Sequence, residues 1–126
     1  MATTHRITYT WSNGGTPLSV TVEKTGGLEA NLEEAVPANQ TNLLMNIAVD
    51  VSAAKVVVIS SDVALTLKTN SSGTPDDTIS VLAGVPIVWH STDGFTCPLT
   101  VDVTKVYVTN TTAGTLKIYT LQDATP

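Results

Sequence analysis

The sequence contains little charge, few aromatic residues and a single cysteine. Only 13% of its 126 residues are charged and 5% are aromatic, whereas about 25% charged residues is usual for a soluble domain. With Cys97 as the one cysteine, no intramolecular disulfide can form, so the core must stabilise the fold. The six Lys and Arg residues are spread singly and the net charge is −5. This charge distribution argues against binding to nucleic acid or to anionic lipid, since both need a basic patch.

Long apolar segments are also lacking. No apolar run approaches the ~20 residues that a membrane-spanning helix needs, and the first residues have no signal-peptide apolar region. We therefore expect neither a membrane anchor nor a secretion signal. The hydrophobic fraction of 42% predicts one domain over residues 1–126, with a core of valine, leucine and isoleucine.

Apolar and polar residues alternate in many short segments that are separated by turn signals. Ile7–Trp11 and Leu18–Val22 flank a Gly-rich turn, and Leu43–Val51 is the longest alternating segment. Val56–Ile59 is apolar on both faces, which predicts a central strand. Further strands are predicted at residues 63–67, 79–81, 85–89, 99–103, 106–108 and 116–118. About nine or ten short strands predict an all-β, two-sheet β-sandwich, for which a jelly roll is one arrangement.

In two segments, proline residues help to decide the predicted structure. Leu28–Val36 fits either a helix, because Ala, Leu and Glu form helices well, or an alternating edge strand. We favour a strand, because its neighbours are all predicted strands and Pro37 follows directly. Pro86 predicts that the strand around Ile87 lies at a sheet edge or starts there.

The sequence also repeats itself at an offset of roughly fifty residues. Residues 49–58 (VDVSAAKVVV) and then 66–68 (TLK) resemble residues 101–108 (VDVTKVYV) and then 115–117 (TLK). Each copy predicts a connection, a strand, a turn and a second strand. The chain is therefore expected to contain two related β units packed together.

No motif for catalysis, metal binding or cofactor binding is found. An acid and base pair could come from Glu29, Glu33 and Glu34, but a solvated face is the better interpretation because the chain offers few aromatic residues for a cleft. His5 and His90 are too few for a zinc site. We therefore predict no catalytic residue, no metal and no cofactor.

Trp11 and Trp89 leave two interpretations open. Both lie in phase with an apolar strand face, which predicts burial in a core or an interface. Both could also stack on sugar rings, as in carbohydrate-binding modules. Exposure of either ring on a flat surface would favour that second interpretation.

The scarcity of charge has a consequence for assembly. Soluble sandwiches protect their sheet edges with Lys, Pro, bulges or inward charges, and this chain has only five Lys. Its polar residues are mostly Thr, Ser and Asn, whose neutral groups are easily buried against another protein. We expect self-association, with a three-fold symmetric trimer as the preferred form.

Residues 55–89 (KVVVISSDVALTLKTNSSGTPDDTISVLAGVPIVW) and the following PLTVDVTKVYVTNTT resemble small virion proteins of tailed bacteriophages. The resemblance covers about two-thirds of the chain. It implies a non-enzymatic capsid decoration (cement) protein, a trimer that binds the major capsid protein on the virion surface after synthesis in the host cytoplasm. The alternatives are a tail or head-fibre component and a carbohydrate-binding or adhesive β-sandwich.

Two segments are predicted to contact partners. The first is the N-terminal segment, in which residues 1–5 are expected to form an extended arm, and the second is a turn-rich loop. The residues concerned are Ala2, Thr3, Thr4 and His5, and then Asn70, Ser71, Ser72, Asp76 and Asp77.

Overall fold

The computed structural model describes residues 3–12, 14–92 and 94–123. They form ten β-strands and one turn of 3-10 helix at Val51–Ala53. The strands are β1 (Thr3–Trp11), β2 (Leu18–Gly26), β3 (Leu28–Val36), β4 (Leu43–Met45), β5 (Ala54–Ser61), β6 (Leu65–Thr69), β7 (Thr78–Val81), β8 (Ile87–His90), β9 (Val106–Asn110) and β10 (Gly114–Gln122). The protein is all-β, as predicted. In the described residues, no helix is long and apolar enough to cross a membrane.

Strands β3 to β10 form two four-stranded antiparallel sheets. Sheet I has the order β3-β10-β5-β8, and sheet II has the order β4-β9-β6-β7. Four pairings are nested, because β3 pairs with β10, β4 with β9, β5 with β8 and β6 with β7. The chain thus runs as one long antiparallel hairpin that folds over on itself. This is the connectivity of a jelly-roll sandwich.

The core lies between the two sheets and consists mainly of Val, Leu and Ile. Strand alternation directs every second side chain toward it. Sheet I contributes residues such as Val57, Ile59, Leu116 and Ile118, and sheet II contributes Leu65, Leu67, Ile79, Val81, Val106 and Val108. Such a core gains about 25 cal/mol for each Å² of apolar surface buried, through many small contacts.

Several predictions about individual strands are confirmed. Leu28–Val36 is a strand, and Pro37 follows its end. The central position of Val56–Ile59 is confirmed, since β5 lies between β10 and β8. Strand β8 begins directly after Pro86 and lies at the edge of sheet I.

The prediction of one long strand at Leu43–Val51 is wrong. Only Leu43–Met45 forms a strand, although Ile47 and Val49 keep the inward alternation and are buried. The segment after Met45 leaves sheet II to reach β5 in sheet I, so it cannot continue one ladder. Its remaining pairing is an isolated bridge between Val49 and Val103, with N–O distances of 2.9 and 3.0 Å. The strand predicted at residues 99–103 is reduced to the same bridge.

The internal repeat has a different structural meaning from the one predicted. Its first copy supplies β5 and β6, and its second copy supplies β9 and β10. Strand β5 pairs with β10, and β6 pairs with β9. Each copy therefore gives one strand to each sheet, and the copies are interleaved rather than packed together as two units.

Candidate interaction surface

Strands β1 and β2 form a two-stranded antiparallel hairpin that joins neither sheet. The register pairs Trp11 with Leu18, Tyr9 with Val20, and Ile7 with Val22. Directly opposed residues of an antiparallel pair lie on the same face. The hairpin therefore has one apolar face, as the alternation on both sides of its Gly-rich turn predicts.

The opposite face of the hairpin is polar and is held by cross-strand contacts. The hydroxyls of Thr8 and Thr21 lie 3.2 Å apart, within hydrogen-bonding distance. The guanidinium of Arg6 donates twice to Glu23 Oε1, at 2.9 and 2.7 Å. These pairs fix the register and direct the apolar face toward sheet I.

The base of the hairpin lies on the outer face of sheet I. A Cβ atom placed on Gly26 would be 2.6 Å from the carbonyl oxygen of Gln122 and 3.0 Å from Leu121 Cγ, so the two backbones approach closely here. Val56 and Leu121 are on this outer face, opposite the core, yet they are only 1% and 0% exposed. The hairpin base covers them, and Ile7 lines a groove with Val56.

Polar contacts attach the hairpin at several points. His5 Nε2 is 2.6 Å from Glu29 Oε2 on β3, and Lys24 Nζ donates to Thr92 Oγ1 at 2.7 Å, just after β8. The rings of Tyr9 and His90 are 6.2 Å apart. The hairpin therefore crosses sheet I from the β3 edge toward the β8 edge, with its turn end farthest from β3.

The apolar face is left uncovered toward the turn end. Trp11 is 57% exposed, Leu18 59%, Val20 46% and Tyr9 41%. Phe95, which lines the same groove as Tyr9 and Val20, is 81% exposed. These five residues are called the apolar tip below. They bring five of the exposed large apolar side chains of the described residues together on one projecting surface.

Carboxylates beside the hairpin are perturbed by direct partners. The hydrogen bond with His5 lowers the pKa of Glu29, helped by a bond from Asn31. The hydrogen bond from Tyr119, at 2.6 Å, and then the charge of Lys117 lower the pKa of Glu33. The same bond raises the pKa of Tyr119. Both carboxylates therefore remain ionised and are bound within the chain.

The structure describes only part of the N-terminal segment that is predicted to contact a partner. Thr3, Thr4 and His5 do not form a separate arm, because they are the first residues of β1 and pair with Gly26, Thr25 and Lys24. Ala2 lies outside the described residues. Contact of these residues with a partner stays a prediction, and the structure assigns His5 to the attachment of the hairpin.

The loop at residues 70–77 is held by its own polar side chains. Asn70, with φ of 68°, donates to Asp76 Oδ2 and to the Asp102 carbonyl at 2.7 and 2.8 Å. Its Oδ1 accepts the Thr104 backbone N–H at 2.9 Å. Asp77 accepts two bonds from Thr100, both of 2.8 Å.

Two further residues of the predicted loop contact have internal roles. Ser71 Oγ accepts the backbone N–H of Thr74 at 3.0 Å, and the Ser72 carbonyl accepts from Lys68 Nζ at 3.4 Å. The loop follows β6 in sheet II, whereas β1 lies outside sheet I. One predicted contact segment therefore lies on the outer face of sheet I, and the other lies at an end of sheet II.

The sequence did not identify the apolar tip. The alternation of Ile7–Trp11 predicted an apolar face, and burial in a core or an interface was the favoured interpretation for both tryptophans. Trp89 is half-buried against the core and donates Nε1–H to the Phe95 carbonyl at 2.9 Å. Trp11 is exposed. The Gly26-Gly27 pair was the available signal, because it separates the hairpin from the next strand.

In residues 3–12, 14–92 and 94–123, no cluster of three or more His, Cys, Asp or Glu side chains has a geometry suited to a metal ion. Cys97 is half-buried and packs against the core. The apolar tip is thus the surface feature with the clearest capacity for interaction.

Comparison of the chain with protein-family models, with curated proteins and with solved structures found no match.

Proposed function

We propose that this protein is a non-enzymatic structural component of a bacteriophage virion, a decoration (cement) protein on the capsid surface. Its partners are the major capsid protein and other copies of itself, with a trimer as the expected assembly. The resemblance of residues 55–89 to small phage virion proteins is the source of this proposal. Jelly rolls occur in viral capsid domains and also in lectins, so the fold permits the role without selecting it.

The observation that carries the proposal is the apolar tip. A two-stranded hairpin alone is marginally stable in water, yet the turn end of this one leaves an aromatic and aliphatic face uncovered by its own sandwich. From typical side-chain areas, Tyr9, Trp11, Leu18, Val20 and Phe95 expose about 500 Å² of surface. The largest apolar patch on a typical monomer is about 300–600 Å² and is often functional, and this patch lies in that range.

A cement role requires no chemistry from these residues. Each tip contact is small, but many identical contacts repeated over a closed shell raise the cost of opening any one of them. The exposed hydroxyls of Thr8, Thr10 and Thr21 on the other face keep the hairpin hydrated before docking. The hairpin would thus act as the element that engages the shell.

The test uses purified virions of a phage whose genome carries the gene for this protein. Mass spectrometry of purified virions is expected to detect the protein at a copy number comparable to that of the major capsid protein. Particles that lack it are expected to lose DNA at lower temperature, and the wild-type protein is expected to restore their stability. Absence of the protein from virions would overturn the proposal.

The role of the tip is tested by complementation with variants. The double variant Trp11→Ser/Leu18→Ser is expected to fold, as measured by circular dichroism, but to fail to bind the particles. Leu82→Ser is the control, since Leu82 is also exposed, at 61%, but lies outside the tip. If both variants bind equally well, the tip is not the contact surface.

A second candidate function is carbohydrate binding or adhesion. The observation in its favour is the exposure of Tyr9 and Trp11 on one strand face, where aromatic rings can stack on sugars. Titration with glycans from the host surface distinguishes the two candidates. Saturable binding that is lost in Trp11→Ser would favour the second one. Immunogold labelling of tails would favour a tail component, and labelling of fibres that project from the head would favour a head-fibre component.

A further inference from the structure

The edge strands of this protein are not equally protected. The described sheets and hairpin leave edges at β1, β2, β3, β4, β7 and β8. Short edge strands are one natural protection against pairing with another chain, and β4, β7 and β8 have only three or four residues. The long edges are β1, β2 and β3, each of nine residues.

Strand β3 is the least protected of the three long edges. Strand β1 contains Arg6 and β2 contains Lys24, whereas β3 has no Lys, Arg or Pro. Its pairing with β10 runs from Leu28 to Val36 without a bulge. Seven of its nine residues are exposed. A long, regular strand of this kind presents a row of unpaired backbone groups to other chains.

Its acidic residues would be expected to repel a second copy, but two of them are already bound. Glu29 contacts His5 at 2.6 Å, and Glu33 accepts from Tyr119 at 2.6 Å and lies 3.7 Å from Lys117 Nζ. Glu34 is exposed. The placement of these three carboxylates along β3 therefore limits which register a second copy can adopt.

We propose that β3 pairs with β3 of a second copy, antiparallel, about a two-fold axis at Leu32. Directly opposed side chains lie on the same face of a sheet, so this axis keeps the cores of both copies on the same side. The register opposes Leu28 to Val36, Glu29 to Ala35, Ala30 to Glu34, Asn31 to Glu33, and Leu32 to Leu32. All nine residues of the strand are paired, and no glutamate faces a glutamate.

Neighbouring registers place glutamates directly opposite one another. A shift of two residues in one direction opposes Glu29 to Glu33, and the same shift in the other direction opposes Glu33 to Glu33. Like charges directly opposite one another destabilise a strand pair. Among registers that pair at least seven residues and keep the cores on one side, only the one centred on Leu32 avoids such contacts.

The same register covers apolar surface that the monomer leaves open. Leu28 lies on the core-facing side of β3 but is 49% exposed, and Val36 of the second copy would face it. Leu32, which is half-buried, would meet its own counterpart. The two copies of sheet I then form one continuous eight-stranded sheet.

This contact goes beyond the proposed function and does not depend on it. A single strand edge buries less than the ~1,200 Å² of a stable interface, so the association is weak and depends on concentration. Because the contact is two-fold, each contact joins two chains, and a trimer would carry three such edges.

Two substitutions at one exposed position test the register. Ala30→Glu places a carboxylate opposite Glu34 of the second copy, and Ala30→Lys places an ammonium there. Sedimentation equilibrium of the full chain is expected to show pairing weakened about tenfold by Ala30→Glu and strengthened by a similar factor by Ala30→Lys. Raising the salt concentration should reduce the difference, since the pair is solvent-exposed.

If the substitutions acted only by disturbing the fold, both variants would change the strength of pairing in the same direction. Equal pairing of the two variants, or a wild-type mass that does not change with concentration, would overturn the proposal. If either variant fails to fold by circular dichroism, Ala35→Glu and Ala35→Lys give a second matched pair opposite Glu29. Binding to virions is not measured, so failure here leaves the proposed function standing.

Discussion

Replacing Gly26 with alanine is expected to lift the β1–β2 hairpin from sheet I. The new methyl group would be 2.6 Å from the Gln122 carbonyl oxygen and 3.2 Å from its carbon. Both atoms belong to the backbone of β10, so they cannot rotate away as a side chain could. Restoring an ordinary van der Waals distance needs a movement of roughly 1 Å at the hairpin base.

The size of the effect follows from what the hairpin base covers. Overpacking of a close contact costs about 1–3 kcal/mol when the structure adjusts by small shifts. Complete detachment would expose Val56 and Leu121, whose burial is worth about 1.5–3 kcal/mol each. We therefore expect a loss of about 2 kcal/mol in the free energy of unfolding, with an upper limit near 6 kcal/mol. For a chain of this length, 2 kcal/mol lowers Tm by roughly 6–10 °C.

Two measurements separate the hairpin from the sandwich. Urea unfolding gives the global stability, and hydrogen exchange followed by mass spectrometry gives the protection of residues 3–26 relative to β5. We expect protection to fall mainly in the hairpin. Gly73→Ala is the matched control, because no atom lies within 4 Å of its Cβ position, and it should be neutral or slightly stabilising.

Equal stability of Gly26→Ala and Gly73→Ala, together with wild-type exchange in residues 3–26, would refute this prediction. That result would mean that the hairpin is not seated on β10 as described.

Two further predictions concern a buried hydroxyl and a carboxylate. Thr120 is 1% exposed and its Oγ1 has no hydrogen-bond partner, so Thr120→Val should raise the free energy of unfolding by about 1 kcal/mol. Thr69→Val, in which the hydroxyl that accepts the Asp77 N–H at 2.9 Å is lost, should lower it, and equal effects in thermal unfolding would contradict the reasoning. Because the pKa of Glu29 is lowered from 4.5, its contribution is present above that value and is lost as the pH falls through the lower, folded value. Hydrogen-exchange protection at the hairpin base, corrected for the intrinsic slowing of amide exchange in acid, should therefore fall as the pH is lowered. Glu29→Gln, but not Glu33→Gln, should remove that pH dependence.

The strand content followed from the sequence because alternation is a local property. Leu28–Val36 shows this best: its pattern also fitted a helix, and the closing proline and the surrounding strands favoured the correct alternative. Leu43–Val51 shows the limit. Ile47 and Val49 are buried, as its alternation predicts. Alternation predicts which side chains point inward, but it does not predict whether a neighbouring strand is present.

The position of the hairpin could not be predicted from the alternation of apolar and polar residues. Trp11 and Ile59 both lie on apolar strand faces, yet Trp11 is 57% exposed and Ile59 is 1% exposed. A period of two predicts that a face is apolar, and it cannot say whether the covering surface belongs to the same chain. The contact residues proposed from turn length and polarity, such as Asn70 and Asp77, bind their loop to the segment around residues 100–102, and their contact with a partner stays a prediction.

The amino-acid sequence by itself determined an all-β chain with short strands and a core of Val, Leu and Ile, since composition and alternation act over a few neighbouring residues. Only the tertiary structure decided which strands pair, how the two repeat copies interleave, and which apolar face remains outside. Those features depend on contacts between residues far apart in the chain, such as Gly26 with Gln122 and Val49 with Val103, and no local pattern specifies them.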